Sequence, residues 1–366
     1  MSVSMRVAAV LFAGLLGLAW GLTSFAGGGT EGPPAPLPAP PQAAPGQEAP
    51  ASATETATGK GTEAKDAEEG GLTADDLEKA LAGDPVTAVL LIALRFGTAL
   101  LGAFFLVMAY TRWSRRRAGL LPDGAPWVGA PPGPTRPFGL SGALGVFFTF
   151  VGALFLVQFA GVAYRRAWAD SLIFNYLAVL LAAGPVAAFV LLRRHALRAG
   201  TAKEAPGRTL WRGFSTFCVG NALAIPAALL GGIILSALGH ELSLYGVVSR
   251  ATDQAHPSYL WWTAVFAIFV APVTEETLFR GLLYPAVRQA AGGGRKGYWV
   301  GAFVVSLAWA SSHAHLPSFL PLLALGLVLV TVLELTDSLA TVILGHAFFN
   351  AASLIPLLAA RLQGTL

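Results

Sequence analysis

The chain has 366 residues, 55% of them hydrophobic and 12% charged, with a mean hydropathy of +0.62. Soluble domains run at about 45–50% apolar and 25% charged, so a soluble globular enzyme is all but excluded. The formal charge of +4 divides into an acidic segment over residues 27–85, with eleven carboxylates against three lysines, and a basic remainder whose Arg and Lys lie between long apolar runs. That distribution belongs to membrane loops, and the sequence carries no basic, aromatic-interleaved motif for nucleic acid. Cys218 is the single cysteine, which excludes an intrachain disulfide and a multi-cysteine zinc site.

In chain order, apolar stretches near the length of about 20 residues needed to cross a bilayer core fall at 6–26, 86–111, 138–163, 171–192, 213–239, 258–289, 297–315, 318–335 and 338–360. The expected fold class is all-α: a polytopic transmembrane helix bundle of about eight core spans plus an N-terminal anchor helix. Residues 1–26 read as that anchor or as a signal peptide, with Ser24-Phe25-Ala26 as a passable cleavage site. Residues 27–85 form an acidic, Pro/Ala/Gly-rich linker without the apolar periodicity of a core, and so read as disordered. Within it, Thr73 could cap a short acidic helix over 74–81. The membrane bundle then occupies 86–366.

Basic loop clusters set the orientation. Arg115 to Arg117, the group from Arg193 to Arg212, and Arg288, Arg295 and Lys296 lie on one, cytoplasmic, side if all nine spans are real. Arg165 and Arg166 fall on the other side and conflict with this assignment.

Outside the linker only nine carboxylates remain, and two of them, Glu275 and Glu276, follow the nearly all-apolar stretch from Tyr259 to Val273. A charge at mid-membrane costs about 2.5 to 3.5 kcal/mol on insertion scales, which makes an adjacent pair a functional-site candidate. In Ala271-Pro272-Val273-Thr274-Glu275-Glu276-Thr277-Leu278-Phe279-Arg280, a helix puts Glu276 and Arg280 one turn apart and rotates Glu275 about 100° away. One carboxylate can be neutralised by the arginine while the other stays free to act as a general base on water. The plainer alternative is a Glu/Arg pair snorkelling toward the end of a span, with Glu275 incidental.

Three of the six histidines, His313, His315 and His346, lie in the apolar C-terminal third. Trp309 is one turn before His313, and Asn350 one turn after His346 on the same helix face. Glu275 and His313 are equidistant in sequence from Gly294, so at about 1.5 Å per residue an antiparallel hairpin sets both roughly 25 Å from the turn. His346 falls at a shallower level, about 15 Å beyond the turn near Asp337-Ser338, unless the last helix tilts or the span before it is shortened by Pro317 and Pro321.

These three motifs together resemble the type II CAAX prenyl endopeptidase family, the CPBP intramembrane proteases that also include bacteriocin-immunity and abortive-infection proteins. Glu-Glu-x-x-x-Arg is matched at Glu275, Glu276 and Arg280; Phe-x-x-x-His at Trp309 and His313, with Trp for Phe; and His-x-x-x-Asn at His346 and Asn350. The resemblance implies a protease region over about 258–360. In it Glu275 activates water with help from His313, His346 and Asn350 stabilise the tetrahedral oxyanion, and Glu276 and Arg280 orient and balance charge. It further implies a multi-pass protein of a bacterial-type inner or plasma membrane, acting among lipids on a membrane-tethered or lipidated peptide. Glu275, His313 and His346 could also serve as three zinc ligands, as at catalytic zinc sites, but no His-Glu-x-x-His motif is present and a metal-free Glu/His mechanism reads equally well. His315 fits the loop before Pro317 better than a ligand position. Two other readings use the same residues: a transporter or proton relay, and a non-catalytic family member.

Overall fold

The structure, a computed structural model, describes residues 85–117, 138–163, 172–197, 205–240 and 258–362. The N-terminal anchor or signal, the linker up to Asp84, the acidic helix expected over 74–81, and Arg165 and Arg166 lie outside the described residues. Within them the chain is all helical: α1 (Pro85–Arg117), α2 (Leu140–Ala163), α3 (Leu172–Leu197), α4 (Pro206–Ala237), α5 (Ser258–Ala290), α6 (Gly294–Ser312), α7 (Leu316–Thr336) and α8 (Leu339–Leu362). These eight helices lie where the eight spans were expected from residue 86 onward, and among the described residues five of them are long and apolar enough to cross a membrane.

Several helices run further than their apolar stretches. α1 continues through Arg117, and α4 begins at Pro206, so Arg208 and Arg212 lie on its first turns rather than in a loop. Hydropathy marks only the part of a helix that lipid or core must cover. Pro206 starts α4 early because proline suits the first helical position, where its missing N–H would have had no helical partner.

The helices gather around two axes. α4 packs against α1, α7 and α8, while α5 packs against α2, α3, α6 and α8. Close approach depends on small residues, as is usual where apolar lipid gives helices no hydrophobic reason to associate. A Cβ on Gly345 would lie 2.6 Å from Cγ2 of Thr216, and one on Gly213 would lie 2.6 Å from Cβ of Leu344. This reciprocal fit seats α8 on α4 immediately beside His346. The α5–α6 hairpin turns through Gly292, Gly293 and Gly294, all with positive φ, a region open to glycine without steric cost.

α5 is not a uniform α-helix. It is π-helical over Phe266–Val270 and again over Thr277–Leu283, and each π stretch ends just before a proline, Pro272 and Pro285. Proline lacks the N–H that its position should donate and its ring crowds the carbonyl four residues back. The residue before each proline takes the wider register instead: the N–H of Ala271 donates to the carbonyl of Phe266, and that of Tyr284 to Phe279. Glu275 and Glu276 occupy the short α-helical piece between the two, Ala271–Glu276.

Candidate active site

The two adjacent carboxylates part company as the helical rotation requires. Glu276 and Arg280 are fully buried, with Arg280 Nη1 donating to Glu276 Oε1 at 3.0 Å. The same oxygen is 2.8 Å from Nδ1 of His346 on α8, which is also buried. Oε2 of Glu276 is buried without a hydrogen-bond partner, an arrangement that costs free energy and that native proteins tolerate mainly at functional sites. Arg280 lies with its guanidinium carbon 4.4 Å from the Trp309 ring centre.

Glu275 faces a different environment. Its side chain is 28% exposed and that of His313 is 20% exposed, with Glu275 Oε2 3.9 Å from His313 Nε2. The indole Nε1–H of Trp309 donates to the same carboxylate oxygen at 2.6 Å. His313 caps the C-terminus of α6, and its Nδ1 is 2.9 Å from the carbonyl oxygen of Trp309, so the one-turn spacing survives although the helix ends at Ser312. A sealed half (Glu276, Arg280, His346) and an accessible half (Glu275, His313) therefore both border one indole.

The equal depth of Glu275 and His313 anticipated from the hairpin is what the structure has. The shallower level anticipated for His346 is removed at the base of α8. α7 is not shortened, running 21 residues against 19 for α6. Instead Leu339, the first residue of α8, lies against Gly281, about ten residues above the α5–α6 turn, and His346 then reaches Glu276.

Asn350 lies one turn beyond His346 as expected, but its Nδ2 donates to the carbonyl oxygen of Ala267 at 2.7 Å. That carbonyl is free because of Pro272. Its α-helical donor, the N–H of Ala271, has moved to Phe266, and its π-helical donor would be the N–H that Pro272 lacks. Asn350 thus closes a gap in α5 and ties α8 to it.

Several contributors escaped the sequence reading. A Cβ on Gly326 of α7 would lie 2.8 Å from Cβ of Ser306 and 3.2 Å from Arg280 Nη2, so this glycine makes room for the guanidinium. Nothing in the run Leu325-Gly326-Leu327 signals it. Below the site a second buried cluster has formed: Tyr284 donates to Glu334, and Arg288 Nε lies 2.8 Å from the same carboxylate oxygen. Glu334 lies near the end of α7, yet its side chain is buried. His315 lies in the short connection before α7, as expected, with Nδ1 2.7 Å from Ser318 Oγ.

Among the described residues no three His, Cys, Asp or Glu side chains are grouped so as to hold a metal ion, and Nδ1 of His346 faces Glu276.

No curated protein and no solved structure matches the chain. Residues 257–352, which carry all six candidate residues from Glu275 to Asn350, match the family described as Type II CAAX prenyl endopeptidase Rce1-like, the CAAX-type intramembrane proteases that the three motifs resemble.

Proposed function

We propose that the protein is an intramembrane endopeptidase that hydrolyses a peptide bond in a membrane-tethered or lipidated substrate, with prenylated CAAX tails the class suggested by the family match. The observation that carries this reading is the accessible pair: Glu275 and His313, 3.9 Å apart, sit beside a buried, charge-compensated carboxylate. That separation is too long for a direct hydrogen bond and leaves both groups able to hold a water molecule. Glu275 takes a proton from this water as its oxygen attacks the peptide carbonyl. The tetrahedral intermediate then breaks its C–N bond, and the proton passes to the departing amine.

The oxyanion needs a donor. His346 presents Nδ1 to Glu276, so Nε2 donates only in the imidazolium form, and in that form Glu275, Glu276, Arg280 and His346 sum to zero formal charge. The second N–H of Asn350 is the other candidate, its first being held by Ala267. A preorganised donor of this kind is worth about 10² to 10³ in rate.

The test is cleavage of a membrane-tethered peptide by the purified protein in lipid, read by mass spectrometry of both fragments. Glu275→Ala and His313→Ala are expected to abolish cleavage while the protein still expresses and stays folded. Undiminished cleavage by both variants overturns the assignment, as does solute or proton flux in the absence of any proteolysis.

A further inference from the structure

Trp309 stands where the family motif has phenylalanine, and the aromatic wall that both residues provide does not require an N–H. In this chain the N–H is engaged: Nε1 donates to Glu275 Oε2 at 2.6 Å from a fully buried ring. The ring itself has little freedom to turn. Arg280 lies over its face, and His313 and His346 meet it edge-on, with ring centres 5.0 and 5.3 Å away and interplanar angles of 82° and 84°. The backbone of the same residue reaches His313, whose Nδ1 is 2.9 Å from the Trp309 carbonyl oxygen.

We infer that Trp309 is a positioning residue that orients both members of the accessible pair: its indole N–H holds one oxygen of Glu275, and its carbonyl holds one nitrogen of His313. The consequence is directional. With Oε2 anchored by the indole, the carboxylate plane is fixed, and with it the direction in which its remaining lone pairs meet water. With Nδ1–H donating to the carbonyl, the lone pair of His313 Nε2 is turned toward the carboxylate. A phenyl ring at position 309 would retain the stack on Arg280 but release the carboxylate, and a side chain with free rotamers loses the near-attack geometry on which rate depends. This inference rests on the endopeptidase reading for its kinetic consequence, and on the hydrogen bond alone for its spectroscopic one.

Two measurements test it separately. The first replaces Trp309 by Phe and, more cleanly, by β-(3-benzothienyl)alanine, which preserves the ring shape and removes only the donor. The expected result for the isostere is a fall in kcat of about 10- to 100-fold with KM within about twofold of the parent and an unchanged melting temperature in detergent. An isostere with the parent kcat overturns the inference. The second measurement needs no activity. The indole N–H resonance of Trp309, identified by its disappearance in Trp309→Phe, is expected to move upfield in Glu275→Ala while the other eight indole signals hold their positions. A resonance that stays in place overturns the inference, even in a protein that cleaves peptides. A moved resonance in a protein that cleaves none upholds the bond and overturns the endopeptidase reading.

Discussion

Glu276 and His346, seventy residues apart in the chain, meet at 2.8 Å in the buried half of the site. The contact joins α5 to α8 and, through Arg280, to the ring of Trp309 on α6. A buried ion pair by itself is poor evidence of stabilisation, because desolvation offsets the attraction. Removing one partner is another matter, and this separates the two neighbouring glutamates by experiment.

Glu276→Ala leaves Arg280 and His346 buried without their shared acceptor. The expected cost is about 3–5 kcal/mol, seen as a lowered melting temperature in detergent together with lost activity. Glu275→Gln keeps an acceptor for the Trp309 indole on a partly exposed side chain. It is expected to leave the melting temperature nearly unchanged while reducing kcat by about 10² or more.

Asn350→Ala strips the carbonyl of Ala267 of its donor. A fully buried unsatisfied acceptor costs about 1–3 kcal/mol; this bond is partly buried, so a smaller thermal shift is expected in addition to any loss of rate. If the carboxamide acted on the oxyanion alone, the rate would fall and the melting temperature would not move.

Gly326→Ala places a methyl group 2.8 Å from Cβ of Ser306 and 3.2 Å from Nη2 of Arg280. Overpacking of this kind costs about 1–3 kcal/mol, and the arginine must shift. Denaturation and peptidase assays on this variant, and on Ser306→Gly/Gly326→Ala together, are expected to show loss in the single variant and partial recovery in the double.

Glu334→Ala tests the cluster below the site, where it is expected to cost about 3–5 kcal/mol by leaving Arg288 uncompensated. Activity per folded molecule is expected to persist, since neither Tyr284 nor Arg288 touches the accessible pair.

Metal dependence follows from the ligand geometry. Because Glu275, His313 and His346 do not gather into one coordination sphere, activity is expected to survive 1,10-phenanthroline, and metal analysis of the purified protein is expected to find well under one zinc per chain. Inhibition by the chelator that added zinc reverses would assign a metal to the site, with Nε2 of His346 the nitrogen able to ligate it while Nδ1 stays on Glu276.

The hairpin arithmetic that placed Glu275 level with His313 succeeded because both residues are measured from one turn along the two arms of one hairpin. The same arithmetic put His346 too shallow because it assumed that the two turns at that end lie at a common depth. The base of α8 instead starts beside Gly281, a matter of packing between helices that no spacing within one helix records. Asn350 shows the same limit. Its place on the face of His346 was readable, but its partner depends on a carbonyl freed by Pro272 on another helix. Both prolines of α5 are plain in the sequence, but Pro185, Pro226 and Pro321 lie inside helices that have no π stretch, so a proline by itself does not signal one.

Composition alone determined that the chain is helical and membrane-embedded, because a run of apolar residues in lipid must satisfy its own backbone. Helical periodicity determined that Glu275 and Glu276 face different ways, and that each histidine shares a face with the residue one turn from it. Only the tertiary structure decided which carboxylate each imidazole meets, that Trp309 touches both the buried and the accessible groups, and that Gly326 leaves space for the guanidinium. Those outcomes turn on distances of a few ångströms between helices distant in sequence, and interhelical packing sets such distances.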